Sequence, residues 1–224
     1  MTETKVTGVL QSDWSAAIQD YPIASGWTHD GAVLVVCDSA GGLYVFDSQQ
    51  GELLWSEPCA HEGGALAMSM HPVEAVFATA GQDGKILIWD LTGAHSRCCI
   101  EVGSGWVENV LWSPDGARLA SSHGREIQIF GVDGAEQWRS DEHLSTVSAL
   151  GWLNSNELVS TCYGRVTIFD SDTGELNQRF EWKGSLVSLA LSPDGDVIAC
   201  GSQDNSVHFW RRSTGGDSMM SGYP

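Results

Sequence analysis

Apolar and polar positions alternate along the chain in short runs, each bounded by turn residues, and the order of runs and turns repeats. Alternation with a period of two predicts strands rather than helices. In each unit a first strand is closed by a turn: Trp27-Thr-His-Asp-Gly31, His71-Pro-Val-Glu74, Trp112-Ser-Pro-Asp-Gly116, Trp152-Leu-Asn-Ser-Asn156 and Leu191-Ser-Pro-Asp-Gly195. The last residues of these turns are 43, 42, 40 and 39 apart. An apolar strand, a Gly- or Asp-bearing turn and an alternating strand follow. The alternating strand ends each time in an aromatic residue: Phe46, Trp89, Phe130, Phe169 and Trp210, which are 43, 41, 39 and 41 apart. Two independent landmarks thus keep one period.

A further turn closes each third strand, at Gly51, Gly93, Gly134, Gly174 and Gly215, and a more polar fourth strand follows, as in Glu52-Leu-Leu-Trp55 and Glu136-Gln-Trp138. A period near 40 residues with four strands per unit predicts radial repetition, because one small sheet cannot bury both of its faces alone. The fold class expected is an all-β propeller of five four-stranded blades. Their bounds are 21–60, 61–102, 103–142, 143–181 and 182–224. No window keeps apolar residues at i, i+3, i+4 and i+7 between turn signals, so long helices are not expected.

The Trp89-Asp90 dipeptide, preceded by Gly81-Gln-Asp-Gly84 and by His61, resembles the WD-repeat pattern. The resemblance covers roughly residues 20–215 and implies that His61, Thr79, Asp83 and Trp89 form a hydrogen-bonded network inside the second blade. A buried imidazole, hydroxyl and carboxylate need partners, so their role there is structural. The other units depart from the pattern. Ala40, Gly124 and Tyr163 stand at the turn-Asp position of the first, third and fourth units. Cys200 replaces the hydroxyl of the fifth, with Trp182 near its His position. In those units stability is expected to rest mainly on packing. The resemblance also implies a closing outer strand from the N-terminus, and residues 5–20, with Lys5–Asp13 at their head, stand where it belongs. A closed ring of six or seven blades needs about 40 to 80 further residues. The expectation is a piece of a longer propeller truncated at the C-terminus, with a five-bladed ring or an open crescent as the alternative.

Composition then narrows the function. A net charge of −18, from 29 acidic and 11 basic residues, disfavours nucleic acid and anionic membrane as direct ligands and fits a basic partner or a solubilising surface. The six cysteines form no C-x-x-C pair or secreted disulfide framework, which points to reduced thiols and, with no signal-peptide pattern or apolar run of membrane length, to the cytoplasm. Phosphate-loop, zinc-protease and nucleophile-elbow motifs are absent from the sequence. His95, Cys98 and Cys99 offer metal-ligand chemistry at an unsuitable spacing, and an inward-facing strand cysteine is the simpler reading. Neither cofactor nor enzymatic activity is expected.

The resemblance places partner contacts on the rim where inner strands begin and second strands end. Tyr21, Glu62, Trp106, Thr146 and Lys183 belong to the first set, and Ser39, Gln82, His123, Cys162 and Gln203 to the second. Trp106, Tyr21 and His123 are the expected anchors, with Glu62, Gln82 and Gln203 beside them; burial of Trp106 against a neighbouring blade is the alternative. The expected function is a non-catalytic scaffold for a protein or peptide. The competing reading is a sensor or accessory protein with a small ligand or metal in its channel, which convergent carboxylates or histidines there would favour. The run from Gly201 to Pro224 resembles bacterial WD-repeat proteins found beside zinc-metallochaperone GTPases, implying a partner in metal homeostasis.

Overall fold

Eighteen strands and no helix make up the described part of the chain, residues 14–222 of a computed structural model. The Lys5–Asp13 segment lies outside the described residues. The first sheet contains β1 (Pro22–Trp27), β2 (Val33–Asp38), β3 (Leu43–Asp47) and β4 (Leu53–Glu57). The second contains β5 (Ala65–Met70), β6 (Val76–Gly81), β7 (Lys85–Asp90) and β8 (Ser96–Glu101), and the third β9 (Val107–Trp112), β10 (Arg118–His123), β11 (Glu126–Gly131) and β12 (Glu136–Arg139). In each, consecutive strands pair antiparallel in sequence order.

The remaining strands, β13 (Ala149–Asn154), β14 (Glu157–Asp170), β15 (Leu176–Leu191), β16 (Val197–Ser202), β17 (Ser206–Arg211) and β18 (Asp217–Met220), run on as one hydrogen-bonded series. It resolves into two further units. The ends of β14 meet, since Ser171 N–H donates to the Asn156 carbonyl at 2.9 Å. β14 is therefore a hairpin doubling back at Tyr163-Gly164, where Gly164 takes a φ of 81° that a side chain would resist. Its first limb pairs with β13 and its second with residues 176–181 of β15, while residues 186–191 of β15 pair with β16. The fourth unit is thus β13, the two limbs of β14 and the start of β15. The fifth is the end of β15 with β16, β17 and β18.

The cores lie between sheets. Val35, Cys37, Leu43 and Val45 of the first sheet pack on Ala65, Phe77, Leu87 and Trp89 of the second. The same stacking joins second to third, third to fourth and fourth to fifth. Period-two alternation explains this, because each central strand sends one set of side chains forward and the other back. Inner strands touch in order, β1 with β5, β5 with β9, β9 with β13; among the described residues no comparable contact joins β15–β18 to β1–β4. The array is an open crescent of five blades.

Both ends of the crescent are informative. On the first blade, the backward set Leu34, Val36, Tyr44 and Phe46 is covered by Trp14 and Ile18. Trp14 Nε1 donates to the Ser48 carbonyl at 2.8 Å, and its ring lies against Gly51, where it leaves no room for a Cβ. Trp55 and Trp138 do the same to the next blade, donating to Leu91 and Ser171 carbonyls at 2.8 and 2.7 Å. Cys98 Sγ and Gln178 Nε2 occupy the equivalent places, reaching the Asp133 and Arg212 carbonyls. Trp14, Trp55, Cys98, Trp138 and Gln178 are 41, 43, 40 and 40 apart. Trp14 therefore stands where the outer strand of a preceding blade would place it. At the far end, Ala199 and Phe209 are only partly buried, although their counterparts Val35 and Val45 are fully buried.

Candidate functional site

The second blade carries one continuous polar chain. Trp89 Nε1 donates to Thr79 Oγ1 at 2.9 Å, Thr79 Oγ1 lies 2.8 Å from His61 Nε2, and His61 Nδ1 lies 3.0 Å from Asp83 Oδ1. Asp83 accepts from His61 only if Nδ1 carries the proton, so Nε2 of the neutral ring accepts from the Thr79 hydroxyl. Burial pulls the His61 pKa below the ordinary imidazole value despite the Asp83 carboxylate beside it. All four groups are occupied by one another, which ties the start of the blade to the turn between β6 and β7.

The other units carry buried or partly buried polar contacts of their own in place of the full network. In the first blade the fully buried carboxylate of Asp38, two residues before Ala40, accepts the N–H groups of Gly42 at 2.7 Å and Ala40 at 3.1 Å and the Tyr44 hydroxyl at 3.0 Å. In the third, Glu108 accepts the Gly124 N–H at 3.0 Å. In the fourth, His143 keeps its hydroxyl partner, with Nε2 2.9 Å from Ser160 Oγ, and Nδ1 donates to the Arg125 carbonyl at 3.0 Å. In the fifth, Trp182 fills the expected His site and its ring lies tilted against His208 of β17, whose Nε2 lies 2.9 Å from Ser206 Oγ; that hydroxyl bonds Asp204. The imidazole, hydroxyl and carboxylate are all present here, His208 and Ser206 on β17 and Asp204 in the turn before it.

The rim formed by the starts of the inner strands and the turns between second and third strands carries four exposed large apolar side chains: Tyr21 (78% exposed), Trp106 (55%), Leu144 (56%) and Tyr163 (52%). Trp106 is not buried against a neighbour. His123 is half-buried beneath the Gly103–Gly105 loop, and its Nε2 accepts the Gly105 N–H at 3.1 Å, so it props the loop that presents Trp106. Gln82 is half-buried over Gly63 and Gly64, while Glu62 and Gln203 are exposed. Sequence reasoning missed Leu144 and the outward aim of Tyr163, whose N–H donates to Ser145 Oγ at 2.9 Å and whose hydroxyl donates to the Lys183 carbonyl at 3.3 Å. Exposed Asp20, Glu62, Asp141, Glu142 and Asp204 share this rim.

The inner strands line a depression of about 280 Å³ between Ala24, Met68, Asn109 and Leu150, and Glu108 is the one titratable residue among its lining side chains. Among the described residues no group of three His, Cys, Asp or Glu side chains is placed to hold a metal ion. Cys98 packs inward on the second core while Cys99 is exposed.

Comparison with known proteins matches the repeat described as "WD domain, G-beta repeat" to residues 53–90 and 174–211. The chain carries WD repeats. Curated relatives of the WD-repeat chain include B-type cell cycle switch protein ccs52B of Medicago truncatula, 30% identical over 59% of the chain and 29% of that protein. Another is a guanine nucleotide-binding protein subunit beta of Oryza sativa subsp. indica, 24% identical over 68% and 45%. The chain spans between about a fifth and a half of the length of the curated relatives it matches. Among solved structures, a chain of a mitotic checkpoint complex superposes with a TM-score of 0.79 at 22% identity, covering 89% of this WD-repeat chain and 64% of that one, which shows the propeller fold.

Proposed function

We propose that the protein is a non-catalytic interaction platform that binds a protein or peptide partner on the rim bearing Trp106. The observation that carries this reading is the exposure of Tyr21, Trp106, Leu144 and Tyr163 on one rim. Large aromatic side chains left in water give contact area with little loss of side-chain freedom, and such residues dominate interface energetics. Acidic side chains around them favour a partner with basic residues at the edge of the contact, where charge steers encounter. The free thiols fit a reducing compartment such as the cytoplasm. The channel-ligand reading has less support, because carboxylates and histidines do not converge on the inner depression.

Affinity capture with the wild-type chain, Trp106→Ala, Tyr163→Ala and a control on the opposite rim, Val73→Ala, tests the proposal. Partners retained by wild type and the control are expected to be lost from both rim variants, with urea unfolding unchanged. Identical partner sets for all four proteins would refute it.

A further inference from the structure

A cleft of about 350 Å³ opens between the third and fourth blades, and the Trp106 loop does not line it. It exists because β12 is short. The outer strand of the third blade stops at Arg139 and the chain crosses to His143, leaving part of the facing fourth blade without a wall. Val166 and Ile168 of β14 point into the core toward the fifth blade, so alternation sends Arg165 and Thr167 into the cleft. The register sets Thr167 opposite Arg179 of β15 and Arg165 opposite Glu181. Arg165 and Arg179 thus occupy diagonal positions on one face, a spacing of roughly 7–8 Å between backbones.

Their charges are unmatched. Of eight arginines in the chain, Arg97, Arg118, Arg125, Arg139, Arg211 and Arg212 each hold a carboxylate. Among the described residues Arg165 and Arg179 hold none, Glu181 included, and both line this cleft. Arg165 Nε is buried and donates to nothing. Of the other charged groups in the lining, Arg139 is taken by Glu126 and Glu136 and Glu142 by Arg125, so two free guanidiniums face one unpaired carboxylate, Asp141. In a chain of net charge −18, two arginines that hold no carboxylate thus stand side by side, with Asp141 in the lining and Glu181 opposite Arg165 in the register.

We infer that this cleft binds a phosphoryl group. One guanidinium fork satisfies one carboxylate, whereas two forks on adjacent strands match the three terminal oxygens and nearly two negative charges of a phosphoryl group. The overall negative charge does not forbid it, because solvent ions screen distant carboxylates beyond about 8 Å at physiological ionic strength. The cleft is larger than a bare anion, and Phe169 and Leu176 give it an apolar side. That shape favours a phosphorylated side chain with its flanking residues over the free ion.

The test uses the full chain with inorganic phosphate and with a degenerate phosphothreonine peptide library, each peptide also offered unphosphorylated. Saturable binding of phosphorylated peptides is expected, with the Arg165 Nε–Hε NMR resonance moving as they bind. Affinity should fall at least tenfold in Arg165→Gln, Arg165→Lys and Arg179→Gln, and stay unchanged in Arg211→Gln, whose partner is Asp196. Arg179 is exposed, so its variant carries the test if Arg165→Gln disturbs folding. An Arg165-dependent response to inorganic phosphate with no gain from the peptide supports the site and assigns it to the free ion. Equal binding of unphosphorylated peptides, or no arginine-dependent response to either probe, would overturn the inference.

Discussion

Thr79→Val removes one oxygen from the centre of the second-blade network and keeps the side-chain volume, so no cavity complicates the result. Two buried groups then lose their partner: the Trp89 indole N–H, 4% exposed, and His61 Nε2, on a side chain 1% exposed. Leaving a buried donor or acceptor unsatisfied costs about 1–3 kcal/mol, so the pair sets an expected loss of roughly 2–6 kcal/mol. That is a large part of the ~5–15 kcal/mol typical of a domain. Urea unfolding followed by tryptophan fluorescence measures it, and the midpoint should drop with little change in slope. Thr79→Ser keeps the hydroxyl and should lose much less. A double-mutant cycle with Trp89→Phe should be strongly non-additive, because both changes remove the same bond. A Thr79→Val protein within about 0.5 kcal/mol of wild type would refute the claim that this network stabilises the blade.

Burial lowers the pKa of both His61 and His143, so the unfolded chain takes up those protons first as pH falls. Their contribution to stability should be fully present above about pH 6.5 and shrink as the pH drops from there toward the lower folded-state values. Urea midpoints measured at steps through that window should show the decline, with a flatter profile in His143→Gln; a flat wild-type profile would contradict it. With a thiol reagent on the native protein, exposed Cys59 and Cys99 should react first. Buried Cys37 and Cys200, whose thiols burial pushes up to about 11 and about 12, should react only on unfolding, and mass mapping that found the reverse order would disprove the burial argument. Trp14→Ala should cost about 2 kcal/mol, less than truncating a fully buried Trp. Hydrogen exchange should show the loss concentrated in β2 and β3, and uniform acceleration across all blades would count against the covering role of Trp14.

The repeat was legible because strand alternation and turn glycines are local, and the aromatic ending each third strand keeps its period across every unit. The polar networks were legible only in the second blade. Elsewhere the same chemistry comes from other positions: Asp38 reaches the turn from two residues earlier, and His208 enters from β17 because Trp182 occupies the space before the inner strand. Position-by-position reading cannot see such exchanges, since the constraint is that buried polar atoms be paired, not which strand supplies them. The donors Trp14, Trp55, Cys98, Trp138 and Gln178 keep their period but are indole in only three places, with a thiol and an amide in the others, which hid a common task. The exposure of Trp106 and Tyr163 depends on which turns project. Arg165 and Arg179 are 14 residues apart and become neighbours only through the pairing of β14 with β15.

Those five donors all act in one sense, from Trp14 ahead of the first blade or from the outer strand of a blade to a turn carbonyl of the next. The crescent consequently has a head and a tail that differ chemically. At the head the acceptor of this series, the Ser48 carbonyl, is already taken by Trp14, whereas at the tail Ala199 and Phe209 stay only partly buried. The direction of assembly is written into side chains that no single blade needs for its own folding.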